Sequence, residues 1–152
     1  MVWKSNYCKF RLEYDSPWEI IDCFSDNHDK IMVGVVDKAD NASLIVKITP
    51  DVSKNQVSDE QYYEALKKQM IGSNPRNQLL FEGELGFKGQ KFKRFIFSTN
   101  IKYGDFVSNI YIYRGGDKFT SIQFSYPNNL IGDYIPPVPD KIQKILNDMQ
   151  VW

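Results

Sequence analysis

His28 is the only histidine in this 152-residue chain, and it stands in the run Ser25-Asp26-Asn27-His28-Asp29. A serine hydrolase would need it as the base between a serine and a carboxylate. The chain has no G-x-S-x-G elbow to hold such a serine. His28 is therefore expected to be a polar loop residue, with a small hydrolase or ligand-binding enzyme built on it as the lesser alternative. Zinc needs three or four Cys or His ligands, and His28, Cys8 and Cys23 have no paired spacing, so no metal is expected. Asp26 and Asp29 could face a hard ion, but the calcium-loop pattern is absent. Gly83, Gly86 and Gly89 recur at three-residue intervals, whereas a dinucleotide cradle needs G-x-G-x-x-G between a strand and a helix. Strand patterns lie on both sides here. They are bulge and turn glycines, and no cofactor is expected. Glu82 and Glu84 alternate with apolar residues, as on a solvated strand face. No catalytic residue emerges.

The two cysteines leave two readings open. A turn centred on Asp15-Ser16 would set Cys8 opposite Cys23, and facing positions of an antiparallel pair lie within disulfide range. Alternatively, both are buried and reduced, acting as small hydrophobes. A disulfide would favour an oxidising home. Met1-Val2-Trp3-Lys4 lacks the basic stretch and apolar run of a signal peptide. Two locations are thus expected: an exported or periplasmic protein in mature form, or a cytoplasmic one.

Nineteen basic and nineteen acidic residues cancel. Phosphate-backbone binders carry a positive excess, so nucleic acid is not an expected partner. The basic stretch Lys88, Lys91, Lys93 and Arg94 reads as the wet side of a strand. With 42% hydrophobic and 25% charged residues the composition is that of an ordinary globular domain, and the whole chain, 1–152, is read as one domain. No apolar run approaches the roughly 18 residues of a transmembrane helix.

Any site must be positioned by the following elements. Cys8, Phe10, Leu12 and Tyr14 alternate with charged residues, predicting a strand over 7–14. After the Asp15-Ser16-Pro17 turn, 18–24 is expected to return beside it as a hairpin. Residues 31–36 form an apolar strand, 37–41 a turn and 44–48 a β-branched strand. Ser58 and Gln61 form a capping-box pattern opening a helix in which Tyr62, Leu66 and Met70 share a face, closed by Gly72 and Pro75. Four strands follow, over 79–87, 91–98, 106–114 and 118–126. A polar break lies at 100–105, and a Gly115-Gly116-Asp117 loop joins the last two. That loop would pair Tyr113 with Phe119 and Ile110 with Ile122. Ile142, Ile145, Leu146 and Met149 predict a final helix, with Trp152 docked on the domain.

Order and local cues (Pro17-Trp18, a helix after the early strands, the Gly89 turn, the closing Ile142-x-x-Ile145-Leu146 helix) resemble the Mog/PsbP-like α/β/α sandwich. The resemblance implies an α+β fold, a twisted, mainly antiparallel sheet with helices on both faces. Families of that fold include PsbP-type photosystem subunits, Ran-binding nuclear proteins, bacterial PsbP-like lipoproteins and Eag-type secretion chaperones. They share protein binding without catalysis, and no catalytic residue carries over.

With three Trp, nine Tyr and ten Phe, aromatic side chains are abundant, and tyrosine suits interfaces. Tyr111 and Tyr113 share one strand face, opposite Ile110 and Ile112, and one of the two faces is expected to be only partly covered. Together with Phe119, Tyr134 and the 128–137 loop they form the expected partner-binding surface. The function read from the chain is a non-catalytic protein-binding accessory domain, PsbP-like and exported or envelope-associated, acting as monomer or homodimer. An intracellular Eag-type chaperone for a secreted effector is the alternative. The partner in either case is another protein.

Overall fold

In the segment 42–50, Ala42, Leu44, Val46 and Ile48 are buried while Ser43, Ile45, Lys47 and Thr49 point the other way. This period of two builds a strand that must find cover on one face. The computed structural model describes residues 1–5, 10–26, 30–51, 56–87, 89–101, 104–115, 118–128 and 138–151. In chain order they form β1 (Val2–Ser5), β2 (Phe10–Glu13), β3 (Glu19–Asp26), β4 (Lys30–Asp37), β5 (Ala42–Pro50) and α1 (Asp59–Gly72). The order continues with β6 (Gln78–Phe87), β7 (Gln90–Ile101), β8 (Gly104–Gly115), β9 (Lys118–Pro127), α2 (Asp140–Asp148) and β10 (Gln150–Val151).

Among the described residues the strands make two sheets. The larger has seven strands in the order β3-β4-β5-β9-β8-β7-β6, with every neighbouring pair antiparallel. The smaller joins β1, β2 and β10. α1 carries the chain from β5 to the far edge, and the β6–β9 meander then returns until β9 pairs with β5.

Both faces of the large sheet are covered over its centre. On one, Tyr62, Tyr63, Leu66, Met70 and Ile71 of α1 pack on Phe95, Phe97, Ile110 and Ile112. On the other, Ile142, Ile145 and Leu146 of α2, with Leu12, Tyr14 and Trp18, pack on Val46, Ile122, Phe124 and Tyr111. Helix, sheet and helix form the expected α/β/α sandwich. Local chemistry sets the helix ends. The Gln61 N–H donates to Ser58 Oγ at 3.1 Å, and the Ser58 N–H donates to Gln61 Oε1 at 3.0 Å, which is the capping box. The helix ends at Gly72, as expected, and the Met70 carbonyl accepts from Ser73 Oγ and Asn77 Nδ2, satisfying an end carbonyl with side chains.

Four expectations are corrected. The hairpin over 7–24 is not formed: β2 pairs with β1 and β10, while β3 pairs with β4. Cys23 therefore stands opposite Val33, and the register that would have faced Cys8 is absent, leaving the disulfide without support. Cys8 itself, His28, Asp29, Tyr134 and Trp152 lie outside the described residues, as do the side chains of Cys23 and Asp26. The β8–β9 register differs by one residue, with Tyr111 opposite Ile122, Tyr113 opposite Thr120 and Arg114 opposite Phe119. Gly115 pairs with Lys118, so the loop is two residues long rather than three. The polar break at 100–105 shrinks likewise, because pairing runs on to Ile101 and Gly104. Finally, β8 is buried continuously from Val107 to Ile112, so neither of its faces is open.

α2 is tied across the sandwich by Asp37. One carboxylate oxygen accepts from the backbone N–H groups of Ala39 and Asp40, while the other accepts from Lys141, which also bonds Asp40. Asn41 completes this turn with a φ of 53°, a conformation asparagine tolerates. The Lys141 ammonium, aided by those N–H groups and opposed by desolvation, holds the Asp37 carboxyl below its ordinary value. A depressed carboxyl contributes stability above its unfolded pKa and loses it as pH falls through the folded one. The urea midpoint should therefore drop as pH falls below about 4, and Asp37→Asn should flatten that limb. Identical acid limbs would contradict the tie. Phe124→Ala, at the centre of the shared core, should lower unfolding free energy by about 3–5 kcal/mol in urea denaturation.

Candidate partner-binding surface

Among the described residues, Tyr111, Tyr113 and Phe119 do not form one exposed aromatic surface. Tyr111 is only 5% exposed, edge-on to Phe124 at 5.5 Å and to Phe92 at 6.4 Å. Tyr113 is half-buried against the same core, and its hydroxyl lies where a side chain on Gly115 would be. Phe119 is on the opposite face, stacked on Tyr62 with ring centroids 3.6 Å apart and under the Arg114 guanidinium. A one-residue change of register moves a side chain to the other face, which is why Phe119 and Tyr113 part company.

The charged residues around α1 are structural. Arg114 pairs with Asp51, whose side chain is 1% exposed, and with Asp59, and donates to the Val57 carbonyl. Lys67 bridges Glu64 and Glu82, and Glu82 also accepts from the Tyr63 hydroxyl. Burial first, then the Glu82 charge, pushes the Tyr63 phenol up to about 12. Lys91 pairs with Glu84 and Lys93 with Glu60. Glu82 and Glu84 are thus partners of lysines rather than merely solvated acids.

A cleft of about 650 Å³ opens at one end of the sheet, between the β4–β5 turn, the β7–β8 turn, the end of β9 and the start of α2. Asn128 lines it, while the remainder of the expected 128–137 loop lies outside the described residues. Its charged groups are engaged, Asp40 with Lys141 and Asp105 with Asn100 of β7. The Asn128 N–H donates to the Asp105 carbonyl. Among the described residues, no three His, Cys, Asp or Glu side chains gather to hold a metal ion. No helix there is long and apolar enough to cross a membrane.

A different surface lies on β6, the last strand of the large sheet. Leu79 is 38% exposed and Phe81 43%, and a bulge interrupts the pairing between them. Phe81 folds over Gly83, where an added Cβ would sit 3.2 Å from its ring. Gly83, Arg94, Tyr111 and Ile122 follow one another across four paired strands. The Arg94 guanidinium is consequently near two rings, 5.4 Å from the Phe81 centroid and 5.5 Å from that of Tyr111. Its Nη2 donates to Asn109 Oδ1 at 3.2 Å, whereas Nε is buried and makes no hydrogen bond. Asn109 is 1% exposed, and its side chain bears on Tyr126, offsetting part of the rise that burial imposes on that phenol.

Sequence reasoning missed this group. It placed Arg94 with Lys91 and Lys93 on one wet side, yet alternation puts Arg94 on the face opposite them. The available signal was the odd-even split of Lys91 and Lys93 against Arg94.

No protein-family model and no curated protein matches the chain. In fold it is similar to cyanobacterial PsbP (CyanoP) of Synechocystis sp. PCC 6803. That likeness has a TM-score of 0.60 and 11% identity over 100% of this chain and 92% of that one. It is similar too to the Ran-binding protein Mog1p of Saccharomyces cerevisiae, with a TM-score of 0.59 and 12% identity over 99% and 94%. A Bacteroides thetaiotaomicron VPI-5482 protein gives 0.56 and 10% over 99% of this chain, which spans about half, 48%, of that protein's length. At such identities the likeness concerns architecture alone: the chain has the Mog/PsbP-like fold.

Proposed function

We propose that this chain is a non-catalytic protein-binding accessory domain that docks its partner on the β6 edge. The observation that carries the reading is the exposure of two large apolar side chains, Leu79 and Phe81, on a ten-residue edge strand. Edge strands offer unpaired backbone groups that an extended segment of another protein can join, and alternate side chains give such pairing its specificity. The bulge, with Glu82 and Glu84 nearby, is the usual guard against indiscriminate edge pairing.

Two further observations favour binding over catalysis. The displaced carboxyl and lysine groups are accounted for by ion pairs, as with Asp37–Lys141, Glu82–Lys67 and Glu84–Lys91. The fold is shared with a protein whose name records Ran binding. No compartment is part of this reading, because the Cys8–Cys23 pairing that would favour an exported setting lacks support.

The test is capture of the partner from the native cell by the intact chain and by a Leu79→Ser/Phe81→Ser variant. Losing two anchor contacts should weaken capture by at least roughly tenfold, with the variant's fold unchanged by circular dichroism. Equal capture by both proteins would refute docking at this edge.

A further inference from the structure

Resting on that reading, we infer that Arg94, held in place by Asn109, is the receptor for a carboxylate carried by the partner segment that docks along β6. The Phe81 and Tyr111 ring centroids lie 5.4 and 5.5 Å from the guanidinium carbon. Rings that near exclude water and leave the charge uncancelled, so the N–H groups of the fork are what remain for recognition. Among them only Nη2 has a protein acceptor, the neutral Asn109 Oδ1. Nε is a buried donor without an acceptor. Buried polar groups are ordinarily satisfied, so an unsatisfied charged donor points to an acceptor supplied from outside.

Charge selects the kind of acceptor. Arg114, Lys67, Lys91, Lys93 and Lys141 each have a carboxylate partner within the chain. Among the described residues, Arg94 has none within 4 Å. A planar carboxylate approaching in the guanidinium plane can accept from Nε and a terminal nitrogen together, the bidentate geometry arginine favours. Gly83, directly across from Arg94, leaves room for Phe81 to lie beside it. The occupant is therefore an extended protein segment in which an Asp or Glu side chain, or a C-terminal carboxylate, adjoins an apolar residue that contacts Phe81.

The test titrates the intact chain, labelled with ¹⁵N at arginine and asparagine, with phenylacetate and with its neutral isostere phenylacetamide. Phenylacetate should move the Arg94 Nε–H signal saturably, and phenylacetamide should bind at least roughly tenfold more weakly, since a charge-assisted pair becomes a neutral one. Equal binding of the two probes, or no saturable shift with either, overturns the proposal. A second arm separates this failure from that of edge docking. On the captured partner, Arg94→Gln should weaken binding by at least roughly tenfold and Arg94→Lys by less, because lysine keeps the charge and loses the fork. If Leu79→Ser/Phe81→Ser abolishes capture while Arg94→Gln leaves it intact, the edge docks a protein and carboxylate recognition falls. If neither change matters, both readings fall.

Discussion

The pairing of β9 between β5 and β8 joins the two halves of the sheet and sets what every later side chain faces. Leu44 against Phe124 and Val46 against Ile122 lock one side of β9, and Tyr111 against Ile122 locks the other. All of these are buried, so a slip of one residue would drive Ile122 and Phe124 out of the core and Gln123 into it. Such a strand has no tolerable alternative register. Tyr111 is committed to the interior by the same pairing, and through it Arg94 is committed to the row that ends at Gly83, over which Phe81 folds.

Polar groups are handled differently in the two halves of the molecule. Around α1 and at the start of α2, each cation cited above meets a carboxylate, and the resulting ties fasten helices to the sheet. Arg114 reaches Asp51, Val57 and Asp59 just ahead of α1, and Lys141 reaches the β4–β5 turn. Arg94 departs from that pattern because its neighbours are rings and an amide. A guanidinium held beside aromatic rings without a counter-charge is a poor structural device, since the rings only partly compensate its removal from water. It is a sensible recognition device, because its rigid fork is already oriented when a carboxylate arrives.

Much of the architecture was legible in the chain. The Ser58–Gln61 box, the alternation of 42–50 and the spacing of Ile142, Ile145 and Leu146 are local signals, and each element formed where its signal lay. The β2–β3 hairpin failed because a proline turn constrains chain direction and says nothing of which strand will pair with which. Pairing is decided by burial on distant elements, and α2, β10 and β1 claimed β2 for the other layer. The β8–β9 register missed by one residue because Gly115, able to sit in a loop, instead pairs with Lys118. The candidate surface was illegible for a related reason. Whether β6 is an edge depends on where β9 inserts, and nothing within 78–87 announces it.

The account stands or falls on which surface a partner covers, and hydrogen–deuterium exchange of the chain with and without its bound partner measures that directly. Docking at β6 predicts new protection concentrated in amides of 78–87 and in the Arg94 strand beside them. Protection confined to the sheet-end cleft, in 39–42 and 104–106, with β6 exchanging as before, would contradict it.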